Sequence, residues 1–428
     1  MRNFTKSEEL LARALRSIPL GSQTFSKSYT QYPRGVSPYF IERGEGSHVW
    51  DVDGNEYIDF VNGLLAVSLG YNYPAVTQRV QEQMKNGVIF TLPHRLEVEV
   101  AEKIISMVPC AEMVRYGKNG SDVTTGAVRL ARAFTGREHI ATCGYHGWHD
   151  WYIGITTRNL GVPQSTQELT HTFEYNNLDS LREIFSQRPD GVAAVIMEPM
   201  NVTDPDPGFL EGVKDLAHQH GALLIFDEMI TGFRFSNGGA QELFGVTPDL
   251  ATFGKGLANG YPLSALTGRR DIMELITELF YSFTFGGETL SLAAASATLD
   301  LIKEQPVVET MIETGNTLIT GLREIIDRHQ LQEMVSVSGH PTWSFIIFKG
   351  YGEVTMWDQK TYFFQEMFER GILTMGTHNL SYSHSAEDIS ALLGHYDEVL
   401  PEIHALTLEG TLRQRLRCEP LVPLFTLR

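Results

Sequence analysis

In the run IFDEMITGFRF, residues 225–235, two carboxylates, Asp227 and Glu228, stand where an apolar stretch ends and Gly232 begins a turn. Open α/β sheets bind their ligands beyond the carboxyl ends of the strands, so a carboxylate there would serve a cationic partner. The plainer reading is that Asp227 caps the next turn. A second stretch, PDLATFGKGLANGYPLSALTG, sets Lys255 between Gly254 and Gly256 directly after a short apolar run. That places its amine against backbone between two strands rather than on a solvated helix face, although a lone GKG carries little weight.

Two further stretches hold candidate groups. In RYGKNGSDVTTGAVRLARAFTG, Gly120 and Ser121 open a helix whose free N–H groups and positive dipole end suit a phosphate. Ser121 as a helix cap, with Asp122 in the first turn, reads equally well. In CGYHGWHDWY, Tyr145 or a tryptophan beside the glycine turn could cover a flat ring or belong to the core. His146 and His149 have HxxH spacing but no third ligand nearby, so no metal site is expected. Gly254, Gly256 and Gly260 are spaced GxGxxxG with no GK[ST] following, which argues against a nucleotide loop. A lysine, a carboxylate, a phosphate seat and an aromatic lid together match the needs of pyridoxal 5'-phosphate (PLP): a Schiff base, a protonated ring nitrogen, an anchored phosphate and a covered ring face.

The elements that must position these groups follow from periodicity. From about Glu97 to about Gly268, helices alternate with short apolar runs: EVEVAEKIISMV is helical, VAAVIME a strand, PGFLEGVKDLAHQHG a helix, ALLIFDE a strand. Strands apolar on both faces predict a parallel sheet covered on both sides. SHVWDVDGNEYIDF reads as a hairpin turning at Asp53-Gly54. The N-terminal stretch reads as an amphipathic helix with Thr5 and Glu8 at capping-box spacing, Leu10, Leu11, Ala14, Leu15 and Ile18 on one side, and Pro19 and Gly21 ending it. Past about Leu290, two long helices, the strand WSFIIFK and more helix predict a smaller α+β unit. The expected division is therefore 1–65 as an N-terminal helix and hairpin packing with the small domain, 66–300 as the large α/β domain, and 301–428 as the small α+β domain.

Composition sets the outer bounds. With 428 residues, 42% hydrophobic and 20% charged, the chain is an ordinary globular one. A formal net charge of −18 without any basic block excludes nucleic acid and anionic membrane as partners. The three cysteines, Cys110, Cys143 and Cys418, form no CxxC, which suits reduced thiols in the cytoplasm. No stretch approaches the roughly 20 apolar residues of a membrane span, and no signal peptide is evident.

With GSQTFSKS, ERGEGSHVWDVDGNEYIDF, VRLARAFTGRE, YHG, MEP, IFDEMITGFR, FGKG and TFGGETLSLAA in place, nearly the whole chain resembles a class III (ornithine-type) aminotransferase of the fold type I, aspartate aminotransferase-like PLP enzymes, closest to the glutamate-1-semialdehyde aminomutase branch. The resemblance implies that Lys255 carries the Schiff base and shuttles the substrate proton, and that Asp227 pairs with the ring nitrogen. It further implies that Tyr145 and Met229 cover the two ring faces, that Gly120 and Ser121 hold the phosphate, and that Glu198 orients groups beside the cofactor. Thr284 would reach the phosphate from the neighbouring subunit, making a homodimer with shared active sites.

Two departures stand out. Asn119-Gly120-Ser121 replaces the family's serine-glycine-threonine turn, and GGET, Gly286 to Thr289, replaces SGNP. The aminomutase's carboxylate-binding arginine has no counterpart in the N-terminal loop, whose cations are Lys27 and Arg34; Arg234 is a further candidate for carboxylate or loop contacts. The expected function is a ping-pong aminotransferase, cycling PLP with pyridoxamine 5'-phosphate, that moves an amino group from a small-molecule donor, L-glutamate, to a carbonyl acceptor. The acceptor expected is an oxidised sugar or keto sugar acid of surface-polysaccharide synthesis, as for an 8-amino-3,8-dideoxyoctulosonate transaminase. The alternatives are a 2,1-aminomutase and a non-catalytic binding module of the same fold.

Overall fold

The computed structural model describes residues 2–422. They divide into two compact units: residues up to Leu64, Leu69–Tyr73 and the chain from Glu309 form one, and Leu65–Ser68 with Pro74–Val308 form the other.

In the first unit, β1 (Ile41–Glu45), β2 (His48–Asp51) and β3 (Glu56–Asp59) run antiparallel, the β2–β3 turn falling at Asp53-Gly54 as the alternation predicts. The second unit holds a seven-stranded sheet of β4 (Met113–Gly117), β5 (His139–Cys143), β6 (Thr170–Thr172), β7 (Val192–Met197), β8 (Leu223–Asp227), β9 (Leu250–Phe253) and β10 (Ser264–Gly268), in the order β4-β10-β9-β8-β7-β5-β6. All neighbours are parallel except β10, which is antiparallel to both β4 and β9. The expected fold type I architecture is present, with a mostly parallel α/β sheet in one unit and a smaller α+β arrangement in the other.

Strands β7, β8 and β9 are buried at every residue because helices cover both faces. Ala194, Ile196, Leu223 and Ile225 pack on one side with Val123, Ala127 and Leu130 of the helix Gly120–Thr135. Val195, Met197, Leu224 and Phe226 pack on the other with Leu181, Phe185, Phe209 and Val213. At about 1.5–3 kcal/mol per buried large aliphatic or aromatic side chain, these two layers fix the strand ends from which the site is built.

The first unit is completed by β11 (Val335–His340), β12 (Trp343–Phe348), β13 (Ile372–Leu373) and β14 (Thr377–Asn379); β13 joins β3 in parallel, and β12 lies between β11 and β14. Its core gathers Phe363, Phe364, Leu392, Tyr396, Val399 and Ile403 from the helices Met356–Glu369 and Ala386–Leu408. Both helices start at capping boxes, Thr355 with Asp358 and Ser385 with Asp388. The box expected of Thr5 and Glu8 does not form. The helix Thr5–Ala14 starts one residue earlier in register, Thr5 donating to Asn3, while Asp53 accepts the N–H groups of Lys6 and Ser7. Leu15, expected on its apolar side, is exposed. Among the described residues no helix is long and apolar enough to cross a membrane.

Candidate active site

The carboxyl ends of β5, β7, β8 and β9 converge on Asp227. Thr252 of β9 lies opposite it in the ladder and donates its hydroxyl to Oδ1 at 3.3 Å, and the Met229 N–H donates to the same oxygen at 3.1 Å. The other oxygen, Oδ2, lies 2.7 Å from Nδ1 of the buried His146. Nε2 of His146 is 3.1 Å from the carbonyl oxygen of Cys143, which can only accept, so Nε2 is the donor in that contact. Asp227 is 2% exposed and held on both oxygens.

Glu228 belongs elsewhere. It accepts from the hydroxyl of Thr231 and from the N–H groups of Ala240 at 2.8 Å and Gln241 at 3.0 Å, so it caps the short helix Ala240–Leu243. Burial raises its carboxyl pKa, with these hydrogen bonds opposing. The two adjacent acids thus divide: one faces the strand-end cluster, the other builds the turn. The HxxH pair divides too, since His149 bonds Thr125 at 2.8 Å, away from Asp227.

Lys255 opens the short turn Lys255–Ala258 after β9 with φ 44°, a left-handed conformation that L residues rarely hold. Burial lowers the pKa of its ammonium; Glu198 and Asp227 oppose this, and Arg234 adds to it. A lysine disfavoured as a cation is a nucleophilic amine. Glu198, just past β7, accepts from the Tyr145 N–H at 2.9 Å and from Asn201 at 2.8 Å. Burial raises its pKa, and the charge of Asp227 adds to the rise.

Gly120 and Ser121 begin the helix Gly120–Thr135, whose first-turn N–H groups have no partner within the helix. Ser121 is not the cap: Asn119 occupies that position in a capping box with Asp122, which accepts from the N–H groups of Lys118 and Asn119, while the Ser121 hydroxyl accepts from the Trp148 N–H at 3.1 Å. The Met229 sulfur fills the space between this helix start and the lysine turn. A β-carbon at Gly120 would lie 3.0 Å from it, and one at Gly254 only 2.7 Å. Tyr145 is half exposed, its ring edge-on to Tyr152 at 5.6 Å, whereas Trp151 is core.

Thr284 stands apart, exposed in the segment between Phe280 and Phe285. Glu288 of GGET caps the helix Thr289–Glu304 and pairs with Lys118 at 3.1 Å. Arg234, 1% exposed, donates to the Leu65 carbonyl and to the Ser68 hydroxyl, both at 3.4 Å, so it makes the loop contact and not a solvent-facing carboxylate site. Sequence reasoning passed over His146 as the partner of Asp227. The available signal was its place three residues after Cys143, at the carboxyl end of β5, two strands from β8 in the same sheet.

Residues 31–386 match the family model described as aminotransferase class III. The chain is 35% identical to the 3-aminobutyryl-CoA aminotransferase of Cloacimonas acidaminovorans (94% of this chain, 98% of that one) and 37% identical to glutamate-1-semialdehyde 2,1-aminomutase 2 of Lachnoclostridium phytofermentans (86% and 92%). Among solved structures it superposes on the PLP internal aldimine form of the FumI protein of Sphingopyxis sp. MTA144 with TM-score 0.88 at 28% identity, covering 97% and 99% of the two chains. The residues fit that cofactor: a twice-anchored buried carboxylate, a buried lysine, and a helix start without a β-carbon at its first residue. On these grounds the chain belongs to the class III aminotransferases, PLP-dependent enzymes.

Proposed function

We propose that this chain is an aminotransferase working by a ping-pong cycle with L-glutamate as donor. The observation that carries the reading is the meeting of Asp227, Met229 and the Lys255 turn at the adjoining ends of β8 and β9, with Gly120 across the Met229 sulfur. When bound, PLP supplies a carbonyl for the substrate amine and an electron sink, alternating with its pyridoxamine form. Lys255 anchors it and, once freed, moves a proton at the substrate carbon. Asp227 holds the ring nitrogen protonated, with His146 and Thr252 fixing its oxygens. Gly120 and Ser121 seat the phosphate; Tyr145 and Met229 cover the ring, and Glu198 orients the Tyr145 turn. Thr284 completes the phosphate seat of a second copy in a homodimer of the cytoplasm.

The acceptor proposed is an oxidised sugar or keto sugar acid; the hydroxyl-rich stretch GSQTFSKS supports it. A second reading, a 3-oxoacyl thioester, has the support of the relative named 3-aminobutyryl-CoA aminotransferase.

The test is the absorption spectrum of the PLP-loaded protein before and after L-glutamate, without acceptor. The yellow band should bleach to the pyridoxamine form in the native protein and be missing in Lys255→Ala. Keto sugars and 3-oxoacyl thioesters are then screened for its return. A band that ignores every amino donor would overturn the transaminase reading and favour the intramolecular amino shift named in the second relative.

A further inference from the structure

The turn after Asp227 reaches Lys255 by two routes through packed atoms. Phe233, itself left-handed at φ 56°, packs its ring on Phe253 at 5.2 Å between centroids, two residues before the lysine. Gly232 presses so closely on the same ring that a β-carbon there would collide with Phe253. By the second route, Arg234 grips the Leu65 carbonyl and Ser68 hydroxyl, and Ser68 in turn abuts the residue after the lysine, since a β-carbon at Gly256 would strike Ser68 Oγ. A left-handed lysine persists only where its surroundings over-determine it.

We propose that Arg234 is a positioning residue for Lys255, clamping the strained lysine turn through Ser68 and placing a buried positive charge near the lysine amine. This rests on the reading of Lys255 given above. The charged groups acting on that amine are the carboxylates of Glu198 and Asp227 and the guanidinium of Arg234, with His146 bonded to Asp227. The carboxylates favour the ammonium and Arg234 disfavours it, so Arg234 keeps the amine available for the cofactor carbonyl. The like-charge direction found for Lys255 agrees.

The experiment starts from cofactor-free protein mixed with PLP. The captured lysine is fixed with borohydride and located by peptide mass mapping, and the capture rate is followed from about pH 6 to about pH 10. Arg234→Gln keeps donors but loses the charge. Its rate midpoint should move up, making capture slower at neutral pH. Arg234→Lys keeps the charge and should hold the wild-type midpoint. Ser68→Ala breaks the link to Gly256 and should slow capture at every pH without moving the midpoint. Unchanged profiles in Arg234→Gln and Ser68→Ala, or equal displacement in both arginine variants, would overturn the proposal. Should Arg234→Gln not fold, a displaced midpoint in Arg234→Lys or a wild-type rate in Ser68→Ala would do so. Capture at a lysine other than Lys255 in the native protein would instead defeat the assignment of Lys255 itself.

Discussion

In the proposed site Asp227 must keep a ring nitrogen protonated, which requires an ionised and fixed carboxylate, and both of its oxygens are bound, by groups from the ends of β5 and β9 and from its own turn. Asp227→Asn preserves size and most bonds but removes the charge. It should keep the cofactor, whose phosphate seat is untouched, and lose on the order of 10² or more in the glutamate half-reaction. Cofactor content and single-turnover rates check this, and a wild-type rate would remove Asp227 from its role. Asp227 and Lys255 were legible in the sequence because each follows an apolar run and adjoins a turn. Glu228 has the same local credentials, and only a partner twelve residues on, the N–H of Ala240, shows that its carboxylate is structural. His146 was hidden for a similar reason: HxxH spacing describes neighbours along the chain, whereas its partner comes from another strand.

At the scale of elements, apolar runs without alternation announced β7 and β8 as doubly covered parallel strands, and capping residues marked several helix starts. Strand order was not legible. That β10 slots antiparallel between β4 and β9 depends on its pairing with β4, more than a hundred residues earlier in the chain, which no local pattern encodes. In the first unit, His378 of β14 ties the sheet to a helix, bonding Ser344 of β12 and Tyr396 of the helix Ala386–Leu408, both at 2.8 Å. Burial drops its pKa to about 3. The unfolded chain therefore binds this proton more readily than the native one. The contribution is fully present above the unfolded value near 6.5 and declines as pH falls towards 3, by about 2 kcal/mol at pH 5. Urea unfolding at about pH 7 and about pH 5 should show that His378→Gln, though less stable at neutral pH, loses much less on acidification. An equal acid loss in both proteins would exclude the histidine as the cause.

At the scale of the whole molecule, the second unit leaves Ile89, Phe90, Leu92, Phe280 and Phe285 exposed in two segments joined by the Thr289 N–H bond to the Val88 carbonyl at 2.9 Å. These exposed apolar side chains are the surface the proposed dimer would cover, and Thr284 lies in the same segment as Phe280 and Phe285. In the proposed dimer each site takes Lys255 from one chain and Thr284 from the other. Two defective copies could then mend one another. A Lys255→Ala chain paired with a Thr284→Ala chain would contain one site with both defects and one with neither, so mixing two nearly inactive proteins should restore up to half the activity of the native dimer in each mixed pair. Failure of mixed dimers, isolated by two affinity tags, to regain activity would mean that each chain completes its own site. Success would make the exposed threonine visible to genetics as complementation between alleles, a behaviour of the gene that no single folded chain could display.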